Sequence, residues 1–227
     1  MLEFMAVESE PYAFVNSNGE IAGLVVEIAK LISKESNIPF NISLAPAIRV
    51  VRELEAGRVD LSILTQTPHF ERFAESIGIV SPTTMFLITL KRGSSFTEHS
   101  SLRQVLNVGF IRGGYYTDNF WRFVESKNFE RVPLTTARVG FEMLIKKRID
   151  MLATTESTLA FQIRQLNIAH NIEVVKKFEH TPAVLYLSKN RSSVRQPRQT
   201  LHKALFKLNA EGQIEKLLSQ LKFSERK

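Results

Sequence analysis

Short apolar stretches of strand character alternate with amphipathic helical segments along most of this chain. The runs LEFMAV (2–7) and VDLSIL (59–64) are typical of buried strands, whereas residues 23–36 repeat their apolar side chains at helical spacing. The same alternation resumes at NVGFI (107–111). Because strands that alternate with helices form layered structures with mostly parallel sheets, we predict an α/β fold.

The pattern predicts two series of elements, each large enough to form a lobe of its own. We expect helices at residues 23–36, 46–55, 117–126, 136–147, 156–166, 193–208 and 213–221. We expect strands at residues 2–7, 40–44, 59–64, 107–111, 131–134, 149–154 and 172–178.

Two further extended apolar segments, FLITLK (86–91) and AVLYLS (183–188), separate the two series. They predict two crossings between a first lobe, formed by residues 1–88 and 187–227, and a second lobe formed by residues 89–186. Paired extended crossings form a hinge, because a few residues absorb the change in dihedral angles while the lobes stay rigid. The ligand site is then expected in the interlobe cleft, at the loops outside the strand ends.

Composition excludes several classes of site. Cysteine is absent, so we expect neither disulfides nor a thiolate nucleophile, and the five histidines never fall at metal-ligand spacing. We expect no metal and no cofactor. No run of about 18 apolar residues occurs that could span a membrane. The first residues lack the features of a signal peptide, so we expect either a cytosolic protein or one whose signal peptide has been removed.

The net charge of +7 is concentrated near the C-terminus. Residues 189–227 contain 10 Lys and Arg against 3 Asp and Glu, whereas residues 1–188 contain 20 of each kind. We favour solvated terminal helices as the explanation, and the alternative is a basic surface that meets an anionic partner or a membrane face. This segment offers only two aromatic residues, Phe206 and Phe223, and both fall where a core-facing helix would use them, so we expect no nucleic-acid partner.

Three segments carry motifs of a known family: EPYAFVNSNGEIAGLVVEIAKLI (10–32), LEAGRVDLSILTQTPHFERFAESIGIVSP (54–82), and LYLSKN with LHKALFKLNAEGQIEKLLSQL (185–221). The second segment, with Gly-x-x-Asp, a Thr-rich loop, Arg and Ser-Pro, is the most specific. The segments resemble the polar-amino-acid branch of the periplasmic solute-binding proteins. That resemblance implies a two-lobed type II periplasmic binding fold, a periplasmic location, and delivery of a small ligand to the membrane subunits of an ABC importer. We expect a monomer.

In this family the loop after the third strand supplies hydroxyl groups and backbone donors, and an arginine pairs with the ligand carboxylate. The resemblance assigns these roles to Thr65, Thr67 and Arg72. The guanidinium fork matches a carboxylate bidentately, and each charge-assisted hydrogen bond contributes about 1.5–3 kcal/mol. The alternative places Arg72 on the surface, where it pairs with Glu71 or Glu75.

The second lobe departs from the family pattern at the position expected to bind an ammonium group. Amino-acid binders that resemble this chain place an Asp where this sequence has Thr155, with Glu156 beside it. A buried ammonium without a counter-charge is strongly destabilised. Therefore either Glu156, Glu8 or Glu10 takes this role, or the ligand is not an ordinary α-amino acid.

A second departure is the turn RGGY (112–115), which stands where the family has Gly-Thr-Thr. The backbone donors at Gly114 can still cradle an anion, although the threonine hydroxyls are gone. For aromatic walls of the site the candidates are Tyr12, Tyr115, Tyr116 and Trp121. Tyr12 and Trp121 are more often core residues, so the tyrosine pair beside the glycines is favoured as the ligand contact.

Arg49, in the predicted helix 46–55, resembles a family sub-branch in which an arginine at this helix start faces the cleft. Arg49 together with Arg72 would suit a ligand with two anionic groups. The alternative leaves Arg49 exposed at the helix N-terminus, where a cation is slightly unfavourable.

Two other functions compete with importer delivery. The same module serves as the ligand-sensing part of membrane receptors, in which case the partner is a receptor signalling domain. Some dehydratases that act on cyclohexadienyl acids also resemble this fold, and Glu8, Glu10 or Glu156 would then serve as general acid. No Ser-His-Asp, metal or phosphate-loop motif accompanies these residues, so we expect a binding protein and not an enzyme.

Overall fold

The computed structural model describes residues 1–91, 105–179, 181–190 and 197–220. The chain divides into two compact units, the first formed by Met1–Thr83 and the stretch that begins at Thr181, the second beginning at Thr84. Residues 193–196 and 221, at the ends of two predicted helices, lie outside the described residues.

The first unit is built on a five-stranded sheet with the order β4-β1-β5-β12-β6. Its strands are β1 (Leu2–Val7), β4 (Phe40–Ala45), β5 (Leu61–Thr65), β6 (Ala74–Thr83) and β12 (Thr181–Ser188). Strands β1, β4 and β5 pair in parallel, and β12 runs antiparallel to both of its neighbours. The sheet is therefore mostly parallel, as predicted.

Helices and a small hairpin complete the first unit. They are α1 (Leu24–Ser36), α2 (Ala47–Glu55), α3 (Pro68–Glu71), α7 (Arg198–Ala210) and α8 (Gln213–Ser219), with β2 (Phe14–Val15) and β3 (Ile21–Ala22). The hairpin turns at the predicted Asn-rich segment, where the Asn16 side-chain oxygen accepts hydrogen bonds from the amides of Asn18 and Glu20.

The position of α1 is fixed by a close backbone approach at Gly23. This residue has φ 123°, and a Cβ there would lie 2.5 Å from the carbonyl oxygen of Tyr12. The Tyr12 carbonyl in turn accepts a hydrogen bond from the amide of Val25. Glycine is required because other residues rarely adopt this conformation and because the space for a side chain is absent. Helix α1 ends at Asn37 in the left-handed conformation, a common helix stop.

The second unit contains a sheet with the order β11-β7-β10-β8-β9. Its strands are β7 (Met85–Leu90), β8 (Asn107–Ile111), β9 (Glu130–Leu134), β10 (Met151–Thr155) and β11 (Ile172–Lys177). Its helices are α4 (Asp118–Ser126), α5 (Ala137–Ile145) and α6 (Glu156–Leu166), followed by a 3-10 turn at Ala169–Asn171. Here β7 is the antiparallel strand, because β10, β8 and β9 pair in parallel.

The two faces of the second sheet have different cores. Mostly aliphatic residues cover the side toward α5 and α6, around Leu152 and Leu159, together with the buried ring of Phe141. An aromatic cluster surrounds the fully buried Phe120 of α4 on the other side. Its members are Phe110, Tyr116, Phe120, Trp121, Phe123 and Phe178, with ring centroids about 5–6 Å apart. Trp121 therefore lies in this core cluster.

A hydrogen bond between an aspartate and the first amide of a neighbouring strand occurs in both units. The carboxylate of Asp60, just before β5, accepts a hydrogen bond of 2.7 Å from the amide of Glu3 at the start of β1. In the second unit the carboxylate of Asp150, just before β10, accepts one of 2.7 Å from the amide of Asn107 at the start of β8. Each aspartate thus ties the beginning of one parallel strand to the beginning of its neighbour.

The segments predicted as lobe crossings are strands within the sheets. Residues 86–90 of FLITLK lie in β7 and AVLYLS lies in β12, and each strand is hydrogen-bonded to a partner on either side. The chain passes from one unit to the other immediately before each of these strands, at Thr83–Thr84 and ahead of Thr181. The sequence-based boundaries at 88 and 187 therefore fall inside paired strands.

The buried Phe4 provides a test of the first core. Its ring is fully buried and stacks on Phe40, whereas Phe206 in the same unit is 69% exposed. The core-facing position predicted for Phe206 is therefore wrong, because Leu201, Leu205 and Leu208 form the buried face of α7, and Phe223 lies outside the described residues. We expect Phe4→Ala to lower the free energy of unfolding by about 3–5 kcal/mol, because it removes apolar contacts and leaves a cavity. The matched Phe206→Ala should change it by no more than about 0.5 kcal/mol. Urea unfolding measures both values, and equal losses would contradict the described core.

Candidate functional site

The parallel strands of the first sheet end at a common edge that carries the predicted residues. Val7 of β1 pairs with Ala45 of β4, and the amide of Glu8 donates to the Ala45 carbonyl at 2.9 Å. Phe4 pairs with Leu61, so the register brings Glu8, four residues further on, level with Thr65 at the end of β5. Glu8 is exposed and Thr65 is half-buried. Side chains at such an edge are well placed to meet a ligand.

Thr67 caps the short helix α3 that follows β5. Its side-chain oxygen accepts a hydrogen bond of 3.3 Å from the amide of His69, and Pro68 occupies the first helical position. Thr67 is only 5% exposed. Its hydroxyl therefore shapes the loop, and Thr65 is the more accessible of the two predicted threonines.

Arg72 lies at the end of α3 and contacts His69. Its Nε donates to the His69 carbonyl at 3.4 Å, and its Nη2 contacts the His69 Nδ1. Among the described residues, neither Glu71 nor Glu75 forms an ion pair with it, and Glu75 pairs instead with Arg198. Arg72 is exposed, so its guanidinium has free donors that face solvent. The surface ion pair considered as the alternative is not formed.

Arg49 lies in the first turn of α2, which begins directly after β4. Its side chain is exposed, and Glu53 follows it by one helical turn. The pKa of Glu53 is lowered chiefly by its hydrogen bond from Arg58, and the charge of Arg49 contributes a smaller lowering. Among the described residues Arg49 forms no ion pair, so its guanidinium is accessible to an added anion.

Tyr12 is held by its backbone against the start of α1. Its amide donates to Ser9 at 2.7 Å, and its carbonyl accepts from Val25 at 2.7 Å. The side chain is half-buried. Tyr12 thus belongs to a loop of fixed conformation that follows Glu8 at the edge of the sheet.

In the second unit the Gly-Gly turn after β8 wraps around the hydroxyl of Tyr116. That hydroxyl accepts a hydrogen bond of 2.7 Å from the amide of Ile111, and the amide of Gly114 donates to the Ile111 carbonyl at 3.1 Å. Gly113 has φ 80°, a conformation that favours glycine. Gly114 and Tyr115 are exposed at the tip of this turn, with Tyr115 40% exposed.

Tyr116 and Tyr115, adjacent in sequence, have different roles. Burial raises the pKa of Tyr116 to about 12, although its hydrogen bond to the Ile111 amide acts in the opposite direction. Its ring also packs against Phe120 and Trp121. Tyr116 is therefore a structural residue, and Tyr115 is the member of the pair that is free to contact a ligand.

Three helices of the second unit begin at its carboxyl edge, and each is capped by a threonine. Thr117, Thr136 and Thr155 accept hydrogen bonds from the amides of Phe120, Val139 and Thr158. Helices α5 and α6 follow directly after β9 and β10, and α4 follows the turn after β8. Helix N-termini carry partial positive charge, so this edge favours negative groups.

Thr155 is the cap of α6 as well as the last residue of β10. Its hydroxyl donates to the Thr158 hydroxyl at 3.0 Å. Leu152 pairs with Gly109, so the register brings Thr155 level with Arg112 of the Gly-Gly turn. The half-buried Glu156 follows, its amide bonded to the carbonyl of Thr84. Residues of the two predicted segments thus share one edge of the second sheet.

Sequence reasoning missed several residues at these edges. His69 was not expected beside Arg72, because the contact depends on the turn of α3. Thr136 was not singled out, although a threonine before a helical apolar pattern is a cap signal that could have identified it. The Thr154 hydroxyl is buried in β10 with no hydrogen-bond partner among the described residues, and no sequence signal indicates this.

The described part of the chain contains neither a metal-binding group nor a membrane-spanning helix. No group of three or more His, Cys, Asp or Glu side chains there could hold a metal ion. None of the helices in those ranges is long and apolar enough to cross a membrane.

Comparison with known families identifies the class of protein to which this fold belongs. Residues 4–222 match the model of the bacterial extracellular solute-binding proteins, family 3, and the chain belongs to that family. The resemblance found in the sequence is therefore confirmed. A search of curated proteins finds no match.

Solved structures show the same fold. An ancestral arginine-binding protein bound to arginine has a TM-score of 0.78 at 17% identity, with 97% of each chain covered. The GluR0 ligand-binding core from Nostoc punctiforme, in complex with L-glutamate, has a TM-score of 0.75 at 13% identity, covering 97% of this chain and 99% of that chain. A histidine kinase sensor domain with similarity to periplasmic binding proteins has a TM-score of 0.77 at 16% identity, covering 97% and 95%. The fold is the type II periplasmic-binding-protein fold, as predicted.

The raised pKa of Tyr116 predicts a specific alkaline titration. Its pKa is raised from 10.0 to about 12 in the folded protein, so the neutral phenol contributes stability below pH 10 that is lost as the pH rises toward 12. We expect Tyr116→Phe to remove the ionisation step near pH 12 in an ultraviolet titration of the folded protein. Tyr115→Phe should leave that step in place. A step that survives in Tyr116→Phe would contradict the burial of this hydroxyl.

Proposed function

We propose that this chain is an extracytoplasmic solute-binding protein that captures a small carboxylate-bearing ligand without catalysing a reaction. The observation that carries the proposal is the concentration of donors at the carboxyl edge of each sheet. In the first unit, Thr65 ends strand β5, and the exposed guanidinium groups of Arg49 and Arg72 lie on the helices α2 and α3 that begin after β4 and β5. The second presents the turn at Gly114 and three helix N-termini. Guanidinium groups and aligned amides are the donors that carboxylates prefer.

The charges at these edges favour a ligand with more than one anionic group. Arg49 and Arg72 lie at the first edge, and Arg112 lies at the second, level with Thr155. A threonine at position 155 supplies no counter-charge for an α-ammonium group, and Glu156 is the nearest carboxylate in sequence. Dicarboxylates and acidic amino acids are therefore the first ligands to test, with plain α-amino acids second.

Delivery to an ABC importer is the role that we propose, and a receptor sensor is the second candidate. Family membership supports the first role, and the similarity to a histidine kinase sensor domain supports the second. Both roles use the same ligand contacts. The gene decides between them, because a receptor encodes a transmembrane helix and a cytoplasmic signalling domain after this module. An importer component encodes a signal peptide before it and ends with it.

Arg72 is predicted to pair with the ligand carboxylate. A thermal-shift screen against amino acids and dicarboxylates, including L-glutamate, L-arginine and succinate, first identifies a ligand by mass-action stabilisation. We expect Arg72→Ala to weaken its binding by about 10- to 100-fold in calorimetry, because a charge-assisted hydrogen bond contributes about 1.5–3 kcal/mol. Arg58→Ala is the control, since Arg58 precedes the opposite end of β5. Equal affinities for the Arg72 variant and the wild type would remove this residue from the site.

Thr155 is predicted to set the preference between amines and anions. Asp caps a helix as well as Thr does, so Thr155→Asp should keep α6 intact. We expect this variant to gain about tenfold in affinity for α-amino acids and to lose affinity for dicarboxylates, because the added carboxylate attracts an ammonium and repels an anion. Ser126→Asp adds the same charge at the exposed C-terminal end of α4, away from this edge, and should leave the preference unaltered. An unchanged ranking in Thr155→Asp would place this residue outside the ligand site.

A further inference from the structure

The imidazole of His69 is supported on the protein side and contacts Arg72 on the other. The amide of His69 donates to the Thr67 hydroxyl at 3.3 Å, which fixes its backbone in the first turn of α3. Its ring meets the rings of Phe70 and Phe73 edge-to-face, with centroids 5.6 and 5.7 Å apart. Both phenylalanines are buried in the core of the first unit. The ring of this exposed histidine therefore rests on a rigid support.

The backbone at Arg72 is held by Lys189, which follows β12. The Lys189 Nζ contacts the carbonyl of Glu71, and the Lys189 amide donates to the carbonyl of Phe73 at 2.9 Å. These two carbonyls belong to the residues on either side of Arg72. Because the backbone is held at the start of α3 by Thr67 and at its end by Lys189, the direction of the arginine side chain depends on what its guanidinium contacts.

The guanidinium of Arg72 presents one whole side to His69. Its Nε donates to the His69 carbonyl at 3.4 Å, and its Nη2 contacts the His69 Nδ1. One N–H of Nη2 points the same way as that of Nε, so together they form one of the donor pairs with which a guanidinium binds a carboxylate. No acidic side chain within the described ranges pairs with this arginine. The pair left for an added anion is formed by Nη1 and Nη2 at the end of the fork.

The contact with Arg72 determines the form of the imidazole. A guanidinium has only donors and keeps its proton, so the His69 Nδ1 must be the acceptor. The ring is then neutral, with its proton on Nε2. Asparagine at this position would keep the acceptor, because its Oδ1 is attached to the same side-chain carbon as the Nδ1 of histidine. Leucine would keep an apolar contact with the two phenylalanines and remove the acceptor.

We propose that His69 is a positioning residue for Arg72. It occupies the Nε–Nη2 side of the guanidinium, so a ligand carboxylate binds end-on, to Nη1 and Nη2. An exposed arginine otherwise samples several side-chain conformations, and holding it in one of them beforehand lowers the entropy lost on binding. This proposal rests on the carboxylate-binding role proposed above for Arg72. It requires that His69 affect the ligand only through the arginine.

Calorimetry on the full chain, with L-glutamate and succinate as the probes, tests this role. We expect His69→Leu to weaken binding about fivefold, because the guanidinium is no longer held in one orientation, and His69→Asn to stay within about twofold of the wild type. In the Arg72→Ala background, His69→Leu should cause no further loss, because the histidine acts through the arginine. His202→Leu removes an exposed histidine from α7 of the same unit and should bind as the wild type does.

Nuclear magnetic resonance of isotope-labelled arginine side chains tests the contact without a ligand, with the Arg72 signals assigned by their loss in Arg72→Lys. We expect separate Nη signals in the wild type and in His69→Asn, since the contact restricts rotation of the guanidinium, and averaged signals in His69→Leu. Thermal unfolding checks that each variant keeps the fold. Separate signals in His69→Leu, equal affinity losses in the Asn and Leu variants, or a further loss when His69→Leu is added to Arg72→Ala would each overturn the proposal. Wild-type affinity in Arg72→Ala, or no binding of either probe, would count against the proposed function instead, and the arginine signals would still decide whether His69 holds the guanidinium.

Discussion

The hydrogen bonds from the carboxylates of Asp60 and Asp150 to strand amides are the interactions on which the rest of the structure depends. Each carboxylate joins the beginnings of two parallel strands, β1 to β5 in the first unit and β8 to β10 in the second. A one-residue slip in register would turn every side chain of a strand to the other face, and the burial of these strands already opposes it. An aspartate that accepts a neighbouring strand's first amide prevents such a slip. The residues at the far ends of these strands are positioned as a result.

The two units share this strand arrangement but carry different polar groups where the strands end. Strands β5 and β10 each have five residues after their aspartate and end at Thr65 and Thr155. The first unit continues into a short helix with exposed arginine, and the second continues into a long helix capped by the threonine itself. Guanidinium groups therefore supply the charge in one unit, while helix N-termini supply it mainly in the other.

Periodicity in the sequence predicted most of the helices and strands, because amphipathic helices such as α1 and buried strands such as β10 are determined by local patterns. It predicted β7 and β12 as extended segments but not their pairing within the sheets, since an extended apolar segment looks the same whether it connects two lobes or pairs within a sheet. The candidate site was predicted less completely. Motif spacing identified the segments around Thr65 and Thr155, but the contact of Arg72 with His69 and the burial of the Tyr116 hydroxyl follow from three-dimensional packing. Such contacts leave no periodic signal in a single sequence.

The points at which the chain enters and leaves the second unit have a consequence for how this protein can be rebuilt. Thr83 pairs with Thr181 across β6 and β12, and the amide of Phe178 bonds to the carbonyl of Met85 at 2.9 Å. If the chain were cut at the two junctions, the two resulting ends would therefore lie side by side in each unit. The second unit is in effect an inserted domain, and a short linker could close the first unit after its excision. A second unit from another family member could be joined to this first unit at the same two points, because each junction brings its two chain ends together.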